Sequence, residues 1–233
     1  MKKKINIVLF AYNFPHQKTV DVIDRVYREG FHISLILAAD RIFIRSPKSI
    51  FKFKKEILIP NSETLAKKYH IPFYVVKHNS LESIFLLKKY KINLGIIAGA
   101  RILKHDIIQT IQYGVLNFHP GILPYVRGLD AMLWSIYKDY PIGVTAHLIN
   151  NKIDAGYLVY QKQILISLED DIYSLYQKNY KLQLDLISIS LNLILENSNF
   201  QILTMGEYNQ KMSYPIQLDL MSKITQYITK HST

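Results

Sequence analysis

The sequence contains no cysteine, which excludes disulfide bonds and thiolate metal sites within this chain. It also lacks any apolar run approaching the ~20 residues that a membrane-spanning helix needs. The basic start Met1 to Lys4, followed by the apolar stretch Ile5 to Phe10, imitates a signal peptide. However, the apolar stretch is short and no small-residue cleavage site follows it. We therefore expect a soluble, cytoplasmic protein without a membrane partner.

Acidic residues are few relative to basic ones: 18 Asp and Glu stand against 29 Lys and Arg, giving a formal net charge of +11. A basic balance favours polyanionic partners such as nucleic acid or a phosphorylated small molecule. The lysines are scattered and do not alternate with aromatic residues as they do in a nucleic-acid-binding surface. We therefore expect a phosphate-bearing small molecule and no nucleic acid. Neither a His-x-x-x-His pair nor an acidic cluster indicates a metal site.

Apolar segments typical of buried strands alternate with helical patterns along the first two thirds of the chain. This alternation predicts an α/β fold with a mostly parallel sheet flanked by helices. Strands are predicted at Ile5 to Phe10, Ile33 to Ala38, Phe73 to Val76, Ile92 to Ala98 and Val115 to Phe118. Helices are predicted at Thr19 to Arg28, Thr64 to Tyr69, Leu81 to Tyr90, Lys104 to Gln112 and Leu129 to Lys138.

The last third predicts antiparallel strands, a long helix and a small extension. The strands are Val144 to Ile149 and Tyr157 to Ile166, and the helix runs from Ser167, with Asp170 as its capping-box partner, to about Asn197. A short hairpin and a terminal helix are expected within Phe200 to Thr233. Residues 1–198 would then form the main domain and residues 199–233 a C-terminal extension. Asp40 to Lys68 has no clean periodicity and predicts either a long functional loop or a poorly ordered segment.

Two segments, G-V-L-N-F-H-P-G and G-V-T-A-H-L-I-N-N-K-I-D-A-G, each contain a predicted strand, and they carry three polar residues in or just after these strands. Asn117 and His119 are two residues apart, so they project to one side of a strand at its C-terminal end, where ligands bind in open α/β sheets. Asp154 follows the second strand. An amide and a protonated imidazole can donate to an oxyanion, while a carboxylate orients the ring and accepts a proton. This trio suits acyl transfer to an amine, by direct attack because no serine or cysteine nucleophile lies beside it.

The segments N-F-H-P-G-I-L-P, R-G, T-A-H and I-D-A-G resemble the folate-dependent formyltransferase family, most clearly between Leu94 and Leu165. The resemblance implies the Rossmann-like formyltransferase fold, 10-formyltetrahydrofolate as co-substrate and no metal. It implies that Asn117, His119 and Asp154 are catalytic. The residues that it assigns to the folate pocket are Arg101, Ile102, Leu103, His147, Ile153 and Gly156, and those that it assigns to the acceptor are Tyr125, Arg127 and Gly128. Two alternatives stay open: His147 as a satisfied core histidine, and Arg127 as a residue that pins its loop to the scaffold.

Three branches of this family differ in their acceptor. Glycinamide ribonucleotide formyltransferases carry a glycine-rich phosphate loop after the first strand, whereas no glycine occurs here from Phe10 to Thr19. Methionyl-tRNA formyltransferases carry a large C-terminal domain, for which the about 35 residues after the predicted long helix are too few. The H-P-G motif and the Tyr-Pro tail are most similar to sugar-nucleotide N-formyltransferases.

The resemblance therefore predicts formyl transfer from 10-formyltetrahydrofolate to the amino group of a nucleotide-linked deoxyamino sugar. A dTDP-amino sugar of O-antigen or lipopolysaccharide biosynthesis would be such an acceptor, and a homodimer is a further expectation. The alternatives are a phosphoribosylglycinamide formyltransferase of purine synthesis and a non-catalytic relative that binds a ligand or RNA.

Overall fold

The computed structural model describes residues 5–43, 47–53, 59–150, 152, 154–196 and 199–233. Its strands are β1 (Ile7–Tyr12), β2 (Ile33–Ala39), β3 (Phe73–Val75), β4 (Leu94–Ile97), β5 (Val115–His119), β6 (Arg127–Gly128), β7 (Gly143–Leu148), β8 (Tyr157–Gln163), β9 (Gln201–Ile202) and β10 (Tyr208–Asn209). Its helices are α1 (Gln17–Arg28), α2 (Ser62–Lys68), α3 (Leu81–Lys89), α4 (His105–Gln109), α5 (Ala131–Tyr137), α6 (Ile172–Glu196) and α7 (Tyr214–His231).

The main sheet has eight strands in the order β3-β2-β1-β4-β5-β7-β8-β9. The first five pair in parallel, and β7, β8 and β9 continue the sheet in antiparallel fashion. This arrangement confirms the mostly parallel α/β sheet and the antiparallel strands after it. Because β5 runs beside β7, Asn117 lies opposite His147 and His119 lies opposite Thr145.

Both faces of the sheet are covered, as the continuous apolar strands predict. Side chains alternate along β1, so Leu9 enters the core cluster that includes α1 and α6, while Val8 enters the cluster that includes α3 and α4. Leu9 and Val8 are both fully buried. The helices thus bury the sheet on two sides and leave the C-terminal end of β5 as an edge that can bind a ligand.

A third core cluster joins the C-terminal helix to the rest of the fold. Leu220 and Tyr227 of α7 pack with Ile136 of α5, Leu175 of α6 and Phe51. The predicted terminal helix is therefore confirmed, but the predicted hairpin is wrong. The two short strands of the extension pair elsewhere: β9 adds to the edge of the main sheet beside β8, and β10 pairs in parallel with β6. The division at residue 198 remains a prediction about independent folding.

The long helix α6 begins five residues later than the sequence predicts. Ser167 and Asp170 do interact, through Ser167 N–H to Asp170 Oδ2 at 2.8 Å, but they form a turn before the helix. The cap itself is Asp171, whose Oδ1 accepts from Ser174 N at 2.7 Å while Ser174 Oγ accepts from Asp171 N at 2.9 Å. This reciprocal pair is a capping box that satisfies two backbone donors at once.

The irregular region Asp40 to Lys68 contains α2 and a segment, residues 47–53, that packs against the third core cluster through Phe51. Residues 44–46 and 54–58 lie outside the described ranges. Within the described ranges, none of the helices combines the length and the apolar character needed to cross a membrane.

Candidate active site

His119 ends strand β5 and lies buried between two oxygen atoms. Its Nε2 is 2.8 Å from the carbonyl oxygen of Val126, and its Nδ1 is 3.4 Å from Oδ1 of Asp154. Both oxygens are acceptors, so a neutral ring can satisfy one of them and a doubly protonated ring can satisfy both. Each ring nitrogen of His119 thus faces one acceptor oxygen.

Asp154 faces His119 from the turn between β7 and β8. Its backbone has a φ of +44°, a left-handed conformation that aspartate tolerates better than most residues. Burial opposes ionisation of this carboxyl group, but the hydrogen bond and charge of His119, together with the Gly128 N–H, outweigh burial and lower the pKa of Asp154. That N–H donates to Oδ2 at 2.9 Å. Asp154 is thus an ionised carboxylate at neutral pH, held by two donors.

His147 is fully buried on β7 and holds Asn117. A carbonyl oxygen can only accept, so His147 Nδ1–H donates to Ala155 O at 3.0 Å. In the neutral ring Nε2 is then an acceptor, and Asn117 Nδ2 donates to it at 3.1 Å. Burial, with the nearby charge of His119, lowers the pKa of His147 to about 4, so the ring stays neutral. His147 is thus a core histidine with both ring nitrogens hydrogen-bonded, and it also contacts a residue of the site, Asn117. Its contact with the folate stays a prediction.

The residues predicted for the folate pocket come from two parts of the fold: Arg101 to Leu103 follow β4, whereas Gly156 lies beside the end of β7, which runs antiparallel to β5. Ile102 is 64% exposed, while Leu103 is buried in the core cluster around α3 and α4. Arg101 is exposed. Gly156 has a φ of +112°, and a Cβ there would lie 2.1 Å from Leu148 O, so this position requires glycine for the turn itself. Ile153 lies outside the described residues, and the folate contacts of Arg101, Ile102, Leu103, Ile153 and Gly156 stay predictions.

The residues predicted for the acceptor lie in the loop after His119. Tyr125 is exposed and stacks on Tyr140, with 5.3 Å between ring centroids. Arg127 is buried and donates to Gly206 O at 2.9 Å, which fits the structural alternative of pinning the loop. Gly128 directs its N–H to Asp154. An acceptor contact for Arg127 therefore remains a prediction.

A large cavity next to the end of β5 was not predicted from the sequence. It has a volume of about 1090 Å³ and reaches Pro120, the residue after His119. Three cations line it: Lys18, Arg41 and Lys52. Its aromatic lining residues are Phe14, Phe53, Tyr173, Tyr176 and Tyr180. The tyrosine spacing along one face of a helix was the available signal, because positions three and four residues apart share a face.

Lys18 is a cation of this cavity that reaches strand β5. Its Nζ donates to Gln183 Oε1 at 2.9 Å and lies 3.5 Å from Phe118 O, next to His119. Desolvation lowers the pKa of Lys18 to about 8. Both contacts are with neutral oxygens rather than a carboxylate, so the ammonium charge is available to an anion in the cavity.

The family model of the formyl transferases matches residues 47–189, which is more than half of this chain. The chain belongs to the formyl transferase family. This match includes Asn117, His119 and Asp154, the residues that the structure brings together at the end of β5.

Two curated relatives match most of this chain. The methionyl-tRNA formyltransferase of Flavobacterium psychrophilum is 25% identical over 203 residues, which cover 86% of this chain and 62% of the relative. The bifunctional polymyxin resistance protein ArnA of Wigglesworthia glossinidia brevipalpis is 28% identical over 202 residues, covering 83% of this chain and 28% of the relative. The chain thus spans less than two thirds of the length of either.

Solved structures of similar fold include a sugar N-formyltransferase from a Shewanella species. It superposes with a TM-score of 0.61 at 20% identity, covering 89% of this chain and 77% of that one. The phosphoribosylglycinamide formyltransferase of Anaplasma phagocytophilum gives a TM-score of 0.65 at 18% identity, with 90% and 100% covered. At such identities these structures establish the shared fold alone. Within the described ranges, no cluster of three or more His, Asp or Glu could hold a metal ion.

Proposed function

We propose that this member of the formyl transferase family moves a formyl group from 10-formyltetrahydrofolate to the amino group of a nucleotide-linked deoxyamino sugar. The observation that carries this proposal is the combination of Asn117, His119 and Asp154 with an adjoining cavity lined by cations and aromatic rings. The first part supplies acyl-transfer chemistry, and the second suits a nucleotide.

The reaction consists of direct attack by the acceptor amine on the formyl carbon. A new C–N bond forms, the formyl oxygen becomes an oxyanion, and the C–N bond to the folate then breaks. Asn117 has one N–H bound to His147, which leaves its second N–H for the oxyanion. The imidazolium of His119 adds positive charge beside the same oxygen, and its Nε2–H can leave Val126 O to donate to it.

Proton transfer completes the balance of this reaction. The attacking amine loses a proton as it becomes an amide, and the departing folate nitrogen gains one. Asp154 is ionised and lies beside His119, so it accepts the amine proton directly or through water. The proton reaches the leaving nitrogen through the same pair, so the catalytic groups end in their starting state.

The cavity chemistry supports a sugar nucleotide as acceptor. The loop after β1 has no glycine with which to bind a phosphate through backbone amides, and side chains stand in its place: Lys18 and Arg41 bring positive charge to the cavity. Aromatic rings line the same cavity: Phe53 and Tyr176 stack on each other with 4.4 Å between ring centroids, and the aromatic lining gives a base an apolar surface to pack against. A homodimer, a cytoplasmic location and a part in O-antigen or lipopolysaccharide biosynthesis belong to the same proposal.

The test is formyl transfer with 10-formyltetrahydrofolate and a panel of acceptors. The panel contains dTDP- and UDP-linked amino sugars, glycinamide ribonucleotide and methionyl-tRNA. We expect the highest kcat/KM with one of the amino-sugar nucleotides. Faster reaction with glycinamide ribonucleotide or with methionyl-tRNA than with every amino-sugar nucleotide would overturn the acceptor assignment.

A further inference from the structure

The side chain and backbone of Asn209, in strand β10, surround the peptide groups on both sides of Gly128. Asn209 is buried, its Nδ2 donates to Arg127 O at 3.0 Å, and its carbonyl oxygen accepts from Leu129 N at 2.9 Å. Its Oδ1 accepts from Lys138 Nζ at 2.6 Å, which fixes the orientation of the carboxamide. The C-terminal segment thereby holds the loop that follows the catalytic histidine.

Gly128 lies between Asn209 and the proposed catalytic carboxylate of Asp154. Its N–H donates to Asp154 Oδ2 at 2.9 Å on one side. On the other side, a Cβ at Gly128 would lie 2.2 Å from Asn209 O, and the residue has a φ of +101°. Only glycine allows this close approach of the two backbones. Asn209 and Asp154 thus contact the same short strand, β6, from opposite sides.

Gln217, in helix α7, makes an equivalent contact with the wall of the cavity. Its side chain is 1% exposed, and its Oε1 accepts from Ile50 N at 2.8 Å. Its Nε2 donates to Lys48 O at 3.3 Å and to Met212 O at 2.8 Å. The segment that it holds continues directly into Lys52 and Phe53, which line the cavity.

We infer that residues 206–217 complete the active site through two buried carboxamides with different tasks. Asn209 is a positioning residue for the catalytic carboxylate, because it holds Gly128 against Asp154. Gln217 is a positioning residue for the acceptor, because it holds the segment that carries Lys52 and Phe53. This inference rests on the proposed function for the identity of the acceptor, whereas the link from Asn209 to Asp154 concerns the catalytic group itself.

Packing alone does not require these amides. Helix α7 already buries Leu220 and Tyr227 in the third core cluster, which attaches the extension by apolar contacts. A buried carboxamide must satisfy both its donors and its acceptor, so it orients the groups around it more strictly than an apolar side chain does. A purely structural role would make substitutions at both positions lower the melting temperature without separating kcat from KM.

The experiment compares steady-state kinetics of Asn209→Ala and Gln217→Ala in the full chain. We expect Asn209→Ala to lower kcat about 10- to 100-fold, as displacements of about 1 Å do, with little change in the acceptor KM. We expect Gln217→Ala to raise the acceptor KM about 5- to 10-fold, the size of a lost hydrogen bond, with kcat and the folate KM nearly unchanged. If an alanine variant does not fold, Asn209→Asp and Gln217→Glu keep one acceptor oxygen and remove the N–H donors.

Two exposed neighbours provide matched controls: Gln210→Ala beside Asn209 and Gln226→Ala on α7 should leave both parameters unchanged. Hydrolysis of the folate donor without acceptor separates this inference from the proposed function. Asn209→Ala should slow that hydrolysis and Gln217→Ala should not, whichever amine proves to be the acceptor. Equal kinetic effects of the two substitutions, or loss of melting temperature with unaltered kinetics, would overturn the inference.

Discussion

At the scale of single residues, the proposed catalytic pair consists of a histidine between two acceptors and a carboxylate between two donors. His119 faces Val126 O and Asp154, while Asp154 faces His119 and the Gly128 N–H. The hydrogen bond and charge of His119, with the Gly128 N–H, lower the pKa of Asp154 against the effect of burial. Burial keeps His147 neutral, so its Nε2 accepts one N–H of Asn117. This hydrogen bond fixes which amide proton of Asn117 remains for the substrate.

Substitution of His119, the proposed catalytic histidine, should remove most of the activity without unfolding the chain. His119→Asn removes the positive charge beside the oxyanion, so we expect kcat to fall about 100- to 1000-fold, the cost of losing one oxyanion donor. Asp154→Asn should be comparably harmful, because an amide neither stabilises the imidazolium nor accepts a proton. The effects of the two changes should be strongly non-additive. Steady-state rates and melting curves check this, and near wild-type turnover in a folded His119→Asn variant would contradict the assignment.

The acceptor's affinity should depend on pH through Lys18. Desolvation lowers the pKa of this ammonium to about 8, so the charged form dominates below that pH and is lost above it. Lys18 contacts Gln183 and the Phe118 carbonyl, and Asp21, Arg41 and His16 line the same cavity. We expect kcat/KM for a phosphate-bearing acceptor to fall as pH rises through about 8.

Lys18→Arg is the matched variant for this pH dependence, because arginine stays protonated over the whole range. Its kcat/KM should be flat where that of the wild type declines. Lys18→Met should bind the acceptor weakly at every pH, while the folate KM of both variants stays near that of the wild type. The same decline in kcat/KM in wild type and Lys18→Arg would mean that another group titrates.

The residues of the site differ in how far the sequence could predict them. Asn117 and His119 share a strand, so their two-residue spacing alone predicts a common side. Asn209 lies 82 residues from Arg127, to which it donates, and nothing local marks it. Lys18 lies on α1, 165 residues from its partner Gln183. Long-range contacts of this kind depend on how helices and loops pack, which periodicity does not report.

At the scale of elements, the errors of prediction come from competing local signals. Ser167 with Asp170 and Asp171 with Ser174 both resemble helix starts, and the second pair caps α6 because it is reciprocal. The expected hairpin failed because β8 and β6 each offered an edge to the extension. Alternation of apolar strands and helices, by contrast, predicted where β1 to β5 occur along the chain, since parallel strands buried on both faces have a strong signal.

The loop between β4 and α4 carries the predicted folate contacts and can be tested as a unit. Ile102 is 64% exposed, and its carbonyl accepts from Asn79 Nδ2 at 2.9 Å, so the backbone is held while the side chain is available. Ile102→Glu should place a charge against the pterin without unfolding the chain. A folate analogue raises the melting temperature of the wild type by mass action, and we expect this rise to disappear in the variant.

The control for the folate test is Leu81→Glu, another exposed apolar position, at the start of α3. It should leave both the melting temperature and its rise with the folate analogue unchanged. A normal rise in Ile102→Glu would place the folate pocket away from Arg101 to Leu103.

At the scale of the whole molecule, the chain carries an excess of positive charge, and we propose that its site binds a diphosphate. The formal net charge is +11, yet many lysines form surface pairs such as Lys67 with Glu63, which contribute little. The cations that matter for the acceptor are those of the cavity, Lys18, Arg41 and Lys52. Their field acts over about a Debye length, which is ~10 Å at 0.1 M salt.

Added salt should therefore weaken acceptor binding more than folate binding. Raising sodium chloride from low concentration to about 0.5 M shortens the Debye length well below ~10 Å, so exposed Arg41 and Lys52 lose much of their attraction for phosphates. We expect the acceptor KM to rise several-fold while kcat stays nearly constant, because the buried pair of His119 and Asp154 is little screened. The Arg41→Gln, Lys52→Gln double variant should start with a raised KM and show a smaller rise with salt. An equal rise in both enzymes would mean that the acceptor's charge is recognised outside this cavity.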